Sequence, residues 1–195
     1  TLDLRGHTVI PGLVGMHEHL FYAVPPGRSE EYVTSARTFP RLYLASGITT
    51  LRTAGTFDLA ADVGAKRRID SGEEPGPDLN LTSVYFHRAA GLPDPRRIEK
   101  LIDDQRDAGA TSFKAYTQIT RAQLGAAIRT AHGRGLKVTG HLCSVTFREA
   151  ADLGIDSLEH GISAATDFVP GKKPDECPAR GPNAGNPPID SPGST

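Results

Sequence analysis

Four histidines lie directly after stretches that the sequence predicts to be β-strands. His17 and His19 follow the first stretch, His141 follows the fifth and His160 follows the sixth. The carboxyl ends of parallel strands meet at one edge of a sheet, so we expect these side chains to lie close together. Residues 17 and 19 point to the same side of an extended chain because side chains alternate with a period of two. Neutral imidazole is a common ligand of divalent metals, and the pattern therefore predicts a metal site, with zinc as the expected ion.

Lys114 lies inside the fourth predicted strand, in the segment FKAYT. A buried, unpaired lysine is costly and tends to lose its proton. A neutral amine can add carbon dioxide, and the resulting carbamate is an anion whose two oxygens can bridge two metal ions. Two interpretations stay open: a carboxylated ligand among the histidines, or a structural lysine whose ammonium group reaches solvent.

Short apolar stretches alternate with helical stretches along most of the chain. The predicted strands cover residues 8–16, 47–52, 79–86, 111–116, 136–139 and 156–159. Residues 97–108 and 121–134 have the apolar spacing of helices, the second capped by Thr120, and Ser144 is expected to cap a helix over 145–153. Repeated strand–helix units are typical of a parallel α/β sheet. An open sheet and a shortened (β/α) barrel both fit, since a closed barrel needs eight strands and usually about 250 residues.

Composition sets limits on the function. The 195 residues are 37% hydrophobic and 23% charged, with a net charge of −1. That balance gives no basic surface for nucleic acid, and no apolar run is long enough to cross a membrane. A cytoplasmic location is the default expectation, and export stays the alternative because the first residue is Thr rather than Met, so the natural N-terminus is expected to lie upstream. The expected partner is a small-molecule substrate, and self-association into an oligomer stays open.

The last part of the sequence differs from the rest in composition. Seven of the 15 prolines lie between Pro170 and Pro192, and apolar residues are almost absent there. We therefore expect residues 169–195 to form a loop or a disordered tail. Cys143 is expected to be a small buried thiol, and a Cys143–Cys177 disulfide is the alternative if the protein is exported.

Five segments carry a resemblance to a known family: VIPGLVGMHEHL, GITTLRTAG, FKAYT, VTGHLCS and DSLEHG, in that order. Together they resemble the metal-dependent amidohydrolase superfamily, and within it the imidazolonepropionase-like and Xaa-Pro-dipeptidase-like enzymes. The resemblance implies an α/β fold, a (β/α)8 TIM-type barrel that is incomplete here, with about six of its eight strands. It also implies that residues 1–8 are the end of a small N-terminal β-sandwich segment and that residues 9–168 are the partial barrel.

The resemblance further implies roles for the candidate residues. His17 and His19 match the pair that holds the more buried metal. Lys114 matches the lysine that is carboxylated in binuclear members, and His141 and His160 match the ligands of a second metal. One or two divalent ions would then activate a water molecule that cleaves a C–N bond in an amide, cyclic amide or dipeptide. The family's proton-accepting Asp follows the eighth strand and has no match here, so the sequence is expected to be a fragment.

Two alternatives to this hydrolase stay open. One is a truncated, non-catalytic remnant that only binds metal. The other is a mononuclear lactamase- or deaminase-like member in which Lys114 is structural, although no Glu follows His141 before Glu149, which argues against adenosine or cytosine deaminases. Candidate substrate contacts near strand ends are His87, Tyr116 and Tyr22.

Overall fold

A computed structural model describes residues 3–23, 32–86 and 95–179. Its strands are β1 (Leu13–Glu18), β2 (Phe21–Ala23), β3 (Tyr32–Thr34), β4 (Ile48–Thr53), β5 (Asp78–Asn80), β6 (Thr82–Phe86), β7 (Ser112–Ala115), β8 (Lys137–Gly140) and β9 (Ser157–Leu158). Its helices are α1 (Phe39–Ala45), α2 (Leu59–Asp70), α3 (Pro95–Asp107), α4 (Arg121–Gly133) and α5 (Phe147–Asp152), and a 3₁₀ helix covers Gly161–Ala164. None of the helices in this described part has the length and apolar character that a membrane span requires.

Parallel strands form a curved wall in two adjoining groups. The first group has the order β1–β4–β5, and the second has the order β6–β7–β8–β9. A parallel bridge between Thr56 and Val84 joins the two groups, and β2 and β3 form a separate antiparallel pair. The predicted parallel α/β fold is therefore confirmed. Within the described residues the wall is not closed into a barrel, because β1 and β9 each have a strand partner on one side alone.

Two of the predicted strands differ from the structure by more than two residues or in number. The predicted strand over 79–86 is two strands, since β5 pairs with β4 and β6 pairs with β7, and the chain passes from one neighbour to the other at Leu81. The first strand begins at Leu13 and not at residue 8. Pro11 explains the later start, because proline has no N–H group to donate to a neighbouring strand.

Two buried apolar clusters hold the helices against the wall. One contains Ile102, Phe113, Leu124, Ile128 and Val138, contributed by α3, α4, β7 and β8. The other contains Leu51, Leu59, Leu79, Leu81 and Leu20. Burial of each such side chain contributes about 1.5–3 kcal/mol to folding, so these contacts hold the helices and the strands together.

The helix starts confirm one predicted cap and correct another. Thr120 caps α4 in a capping box with Gln123. The second predicted cap is wrong: Thr146, not Ser144, caps α5, and its partner in the box is Glu149. The hydroxyl of Ser144 instead donates to the carbonyl oxygens of Thr117 and Ile119, so it ties together the loops that follow β7 and β8.

Residues 166–177, here called the strap, lie on the outside of the loops that follow β7 and β8. Cys177 is joined to Cys143 by a disulfide with a Cα–Cα distance of 5.1 Å. The expected free thiol at Cys143 is therefore wrong, and the alternative bridge is present. Asp167 accepts hydrogen bonds from the first backbone N–H groups of α5, and Asp175 accepts from the backbone and side chain of Arg121. The described part of the predicted loop thus has a defined path.

Candidate metal centre

The histidines predicted at strand ends lie together where β1, β8 and β9 end. The ring centroid of His17 is 5.3 Å from that of His19 and 4.6 Å from that of His160. His141 completes the group, with its centroid 4.3 Å from that of His160. His160 has a left-handed backbone with a φ of 65°. That conformation is uncommon and costly for a residue other than glycine, and it is concentrated at functional positions.

Hydrogen bonds fix the orientation of two of the rings. Nδ1 of His17 lies 2.7 Å from Oε2 of Glu159, and Nδ1 of His19 lies 3.1 Å from the carbonyl oxygen of Gly55. A carboxylate and a carbonyl only accept hydrogen bonds, so each Nδ1 carries the hydrogen that it donates. In the neutral ring, Nε2 then keeps its lone pair, which is what a metal ion binds.

The environment keeps two of these imidazoles neutral. Burial lowers the pKa of His19 to about 4; the hydrogen bond to Gly55 opposes this shift, and the charge of His17 adds to it. Burial, together with the neighbouring His141 and His17, lowers the pKa of His160 to about 4 as well. A metal binds the deprotonated form of its ligands. At neutral pH these two rings are therefore already in the ligand form.

Lys114 lies in β7, in the wall beside the histidines, and its side chain is 1% exposed. Within the described residues its Nζ atom has no hydrogen-bond partner, and Oε1 of Glu159 lies 3.7 Å away, at ion-pair distance. Burial lowers the pKa of Lys114 to about 8, although the charge of Glu159 opposes the shift. The amine is thus buried, without a hydrogen bond in the described part, and easier to deprotonate than an exposed lysine.

Glu159 is a site residue that the sequence analysis did not predict. Besides His17, its carboxylate accepts hydrogen bonds from Nη2 of Arg52 at 2.8 Å and from the hydroxyl of Thr139. Burial by itself raises the pKa of Glu159, but the hydrogen bond from His17 and the charge of Lys114 hold it well below its usual range. The signal in the sequence was its position directly before His160 at a strand end.

Aromatic rings extend from the histidines along one side of the centre. Tyr116 contacts His141 with centroids 5.1 Å apart, and Tyr85 contacts Tyr116 at 4.9 Å. Phe57 lies 4.9 Å from Tyr85 and stacks on Tyr32. We call Tyr32, Phe57, Tyr85 and Tyr116 the aromatic wall.

The three candidate substrate contacts fall in different places. Tyr116 belongs to the aromatic wall. Tyr22 lies on β2 with its ring 6.1 Å from that of Phe39, while the preceding residue, Phe21, contacts His19 at 4.8 Å. Alternation along the strand accounts for this difference. His87 lies outside the described residues.

The donor set fits a divalent ion in its chemistry, and its ring separations are near those of bound imidazoles. Two imidazoles that bind one ion through Nε2 at about 2.1 Å have centroids roughly 4.5–5.5 Å apart, and the observed separations run from 4.3 to 5.3 Å. Among the described residues, however, no three His, Cys, Asp or Glu side chains are already placed to hold an ion together. The four imidazole rings therefore lie close together, but they would have to rotate towards a shared point to bind an ion.

Comparison with solved structures shows which known folds this one resembles. A solved amidohydrolase superimposes with a TM-score of 0.67 at 19% identity, over 82% of this chain and 50% of its own. A prolidase candidate from Bifidobacterium longum gives a TM-score of 0.58 at 22% identity, over 77% of this chain and 40% of its own. At such identities the likeness concerns the fold. The predicted resemblance to the amidohydrolase superfamily is thus matched at the level of the fold.

Curated sequences add one particular relative. An adenine deaminase from Nitratidesulfovibrio vulgaris is 27% identical over 162 residues, which are 77% of this chain and 26% of that protein. The chain thus spans about a quarter of the curated relatives that it matches and up to half of these solved structures. No protein-family model matches it.

Proposed function

We propose that this chain carries the metal site of a hydrolase that cleaves C–N bonds. One observation supports the proposal above the others: four imidazoles gather at one end of a parallel strand wall, beside a buried amine that has no hydrogen-bond partner in the described part. A packed core does not need such a group, because each buried polar atom without a partner costs free energy.

The proposed ligands form two groups around Lys114. His17 and His19 would hold one ion, and His141 and His160 a second, with Lys114 between them as a carbamate. Bound ions supply a water of lowered pKa as the nucleophile and a Lewis acid for the substrate oxygen. Glu159 holds the proton on Nδ1 of His17, and both Lys114 and Glu159 are buried beside the histidines.

The aromatic wall is the proposed binding surface for the substrate. Tyr116 and Tyr85 present ring faces and edges next to His141 and His19, and flat apolar surface of this kind suits a planar or ring-bearing group. The relatives are named as an amidohydrolase, a prolidase candidate and an adenine deaminase. We therefore propose a small amide, cyclic amide, dipeptide or amino-purine as the substrate class.

Metal retention tests the site. The protein is stripped with a chelator, reloaded with Zn²⁺, desalted and analysed for metal, and we expect one or two ions per chain. His17→Ala should lose at least one ion. His132→Ala is the matched control, because His132 lies on α4 and pairs with Asp156, and it should keep the full content. Equal metal content in the two variants would overturn the site assignment.

Turnover tests the reaction. The loaded protein, in the longest form that its gene encodes, is offered aryl amides, lactams, Xaa-Pro dipeptides and adenine, with release of amine or ammonia as the readout. We expect metal-dependent turnover of at least one class, and its loss in His17→Ala. Metal binding without turnover of any class would reject the hydrolase and leave a metal-binding protein.

The adenine deaminase relative favours a second candidate, a deaminase with Lys114 in a structural role. Metal stoichiometry separates the two. Two ions per chain, one of them lost in Lys114→Met, support the carbamate-bridged hydrolase. One ion per chain that is unaffected by Lys114→Met, together with release of ammonia from adenine, supports the deaminase.

A further inference from the structure

We propose that Glu159 is a positioning residue that holds His17 as the Nδ1–H tautomer and thereby selects Nε2 as its metal-binding atom. The tautomer is a property of the metal-free protein. Only the identity of what Nε2 binds rests on the function proposed above.

The contact with His17 defines the tautomer. Nδ1 of His17 and Oε2 of Glu159 are 2.7 Å apart, the short distance typical of a charge-assisted hydrogen bond. An ionised carboxylate has no hydrogen to donate, so the hydrogen lies on Nδ1. A neutral imidazole carries one N–H, and Nε2 of His17 is therefore left as an acceptor.

The carboxylate cannot rotate away because its other oxygen is held as well. Oε1 of Glu159 accepts from Nη2 of Arg52 at 2.8 Å and from the hydroxyl of Thr139. Glu159 as a whole is 5% exposed, so water does not compete for these contacts. Each partner comes from a different strand: His17 from β1, Arg52 from β4 and Thr139 from β8.

Arg52 connects this arrangement back to the histidine. The same Nη2 atom also donates to the carbonyl oxygen of Met16 at 2.6 Å, and Met16 directly precedes His17. The guanidinium therefore fixes both the carboxylate and the backbone next to the ring that the carboxylate orients. A carboxylate that only balanced the charges of Arg52 and Lys114 would not need an oxygen at hydrogen-bond distance from His17.

The molecule contains two useful comparisons. His132 also contacts a carboxylate, but it does so through Nε2, which lies 2.9 Å from Oδ2 of Asp156, so it should be the opposite tautomer. Glu74 is another nearly buried carboxylate, paired with Arg37 and Arg68. It lies between α2 and β5, at the end of the wall where strands begin, away from the histidines.

The first experiment reads the tautomers directly. Long-range ¹H–¹⁵N spectra of the metal-free protein are recorded at about pH 8, above the ordinary titration range of histidine. We expect the Nδ1–H pattern for His17 and the Nε2–H pattern for His132. An Nε2–H pattern for His17 in the unaltered protein would overturn the proposal without any variant having to fold.

The second experiment asks whether the tautomer matters for binding. Zn²⁺ affinity is measured by competition with a chromogenic chelator in Glu159→Gln and in Glu74→Gln, each checked for folding by circular dichroism. We expect Glu159→Gln to weaken binding by about 10–100-fold, as loss of an orienting carboxylate does, and Glu74→Gln to change it by less than about threefold. Equal affinities in the two variants would contradict the positioning role.

The two experiments separate the two ideas. An Nδ1–H pattern for His17 in a protein that retains no Zn²⁺ would leave the orientation standing and remove the proposed metal function. A protein that binds Zn²⁺ while its His17 is in the Nε2–H form would keep the proposed metal function and overturn the positioning role of Glu159.

Discussion

Nζ of Lys114 faces Oε1 of Glu159 at 3.7 Å across the strand wall, with both side chains almost entirely buried. Lys114 gains a counter-charge from this pair but no hydrogen bond. A buried ion pair of this quality is weak evidence for stability, because desolvation offsets much of the attraction. We therefore expect its main value to be chemical.

Replacing Lys114 by Met removes the amine and keeps the length of the side chain. We expect the metal content to fall by one ion per chain and turnover to fall by roughly two orders of magnitude or more, since a metal-held water is the proposed nucleophile. Acetate, which can stand in for the carbamate, should restore part of the activity. The control is Lys137→Met, which removes an exposed lysine from the neighbouring strand β8 and should leave both readings unchanged. Full activity in Lys114→Met would show that the lysine is structural.

Gly55 should not tolerate a side chain. Its φ is +107°, and a Cβ atom there would lie 2.7 Å from Cε1 of Tyr85 and 3.0 Å from Cγ of Lys114. Its carbonyl also orients His19. We expect Gly55→Ala to lower the free energy of unfolding by about 2–4 kcal/mol and to weaken Zn²⁺ binding.

Gly133, which ends α4 with open space around it, is the control: Gly133→Ala should be neutral or stabilising by up to about 1 kcal/mol. Chemical denaturation measures both, and equal effects would contradict the crowding at Gly55.

Asp62 should make stability depend on pH. Burial raises the pKa of Asp62 to about 7; the hydrogen bond from Thr56 opposes this shift, and the charge of Asp58 adds to it. The Oδ2 atom of Asp62 has no hydrogen-bond partner among the described residues. A pKa raised on folding means that the folded state favours the protonated carboxyl. The contribution of Asp62 to the stability of the folded protein is therefore fully present below about pH 4, and it is lost as the pH rises through about 7.

Asp62→Asn imitates the protonated carboxyl and should flatten that dependence. Between about pH 4 and pH 8 the unaltered protein should lose on the order of 2–4 kcal/mol from this group, and the variant should be the more stable of the two at the upper end. Asp70→Asn changes a half-exposed residue at the end of the same helix and should keep the original slope. Parallel slopes for the protein and Asp62→Asn in urea titrations would reject the prediction.

The disulfide between Cys143 and Cys177 should stabilise the strap and the loop after β8. It closes a loop with a sequence separation of 34 residues, for which the chain-entropy argument gives about 3–4 kcal/mol. We expect a reductant to lower the melting temperature and to speed proteolysis within residues 169–177. Cys177→Ser should show the lower melting temperature without reductant and no further change with it. A melting temperature that is insensitive to reduction would argue against the bridge.

The histidine cluster could be predicted because parallel strands place their carboxyl ends at one edge, whatever the details of packing. His17, His141 and His160 needed only the right strand count and order to meet. The residues at which each strand begins and ends were harder to predict from the sequence. Leu81 belongs to one continuous apolar stretch in the sequence, and the change of strand partner there depends on the neighbours β4 and β7.

The role of Glu159 and the path of the strap could not be predicted from the sequence, for a different reason. The role of Glu159 arises from contacts with strands that lie far away in sequence, and no periodicity reports which carboxylate oxygen meets Arg52 or His17. For the strap, low apolar content predicted a loop or a disordered tail. Composition does not show that Asp167 and Asp175 would be matched to backbone N–H groups of α5 and α4.

The outer edge of β1 has a consequence for how this chain behaves at high concentration. Leu13, Val14 and Met16 are each more than half exposed there, and β4 is the one strand that pairs with β1 in the described part. An apolar strand with open backbone groups on one side is a template for further strands. Two copies of residues 1–195 expressed by themselves, related by a twofold axis, would join these edges as an antiparallel pair. Solubility should then fall steeply above a threshold concentration, and a charged substitution at Val14 should raise that threshold.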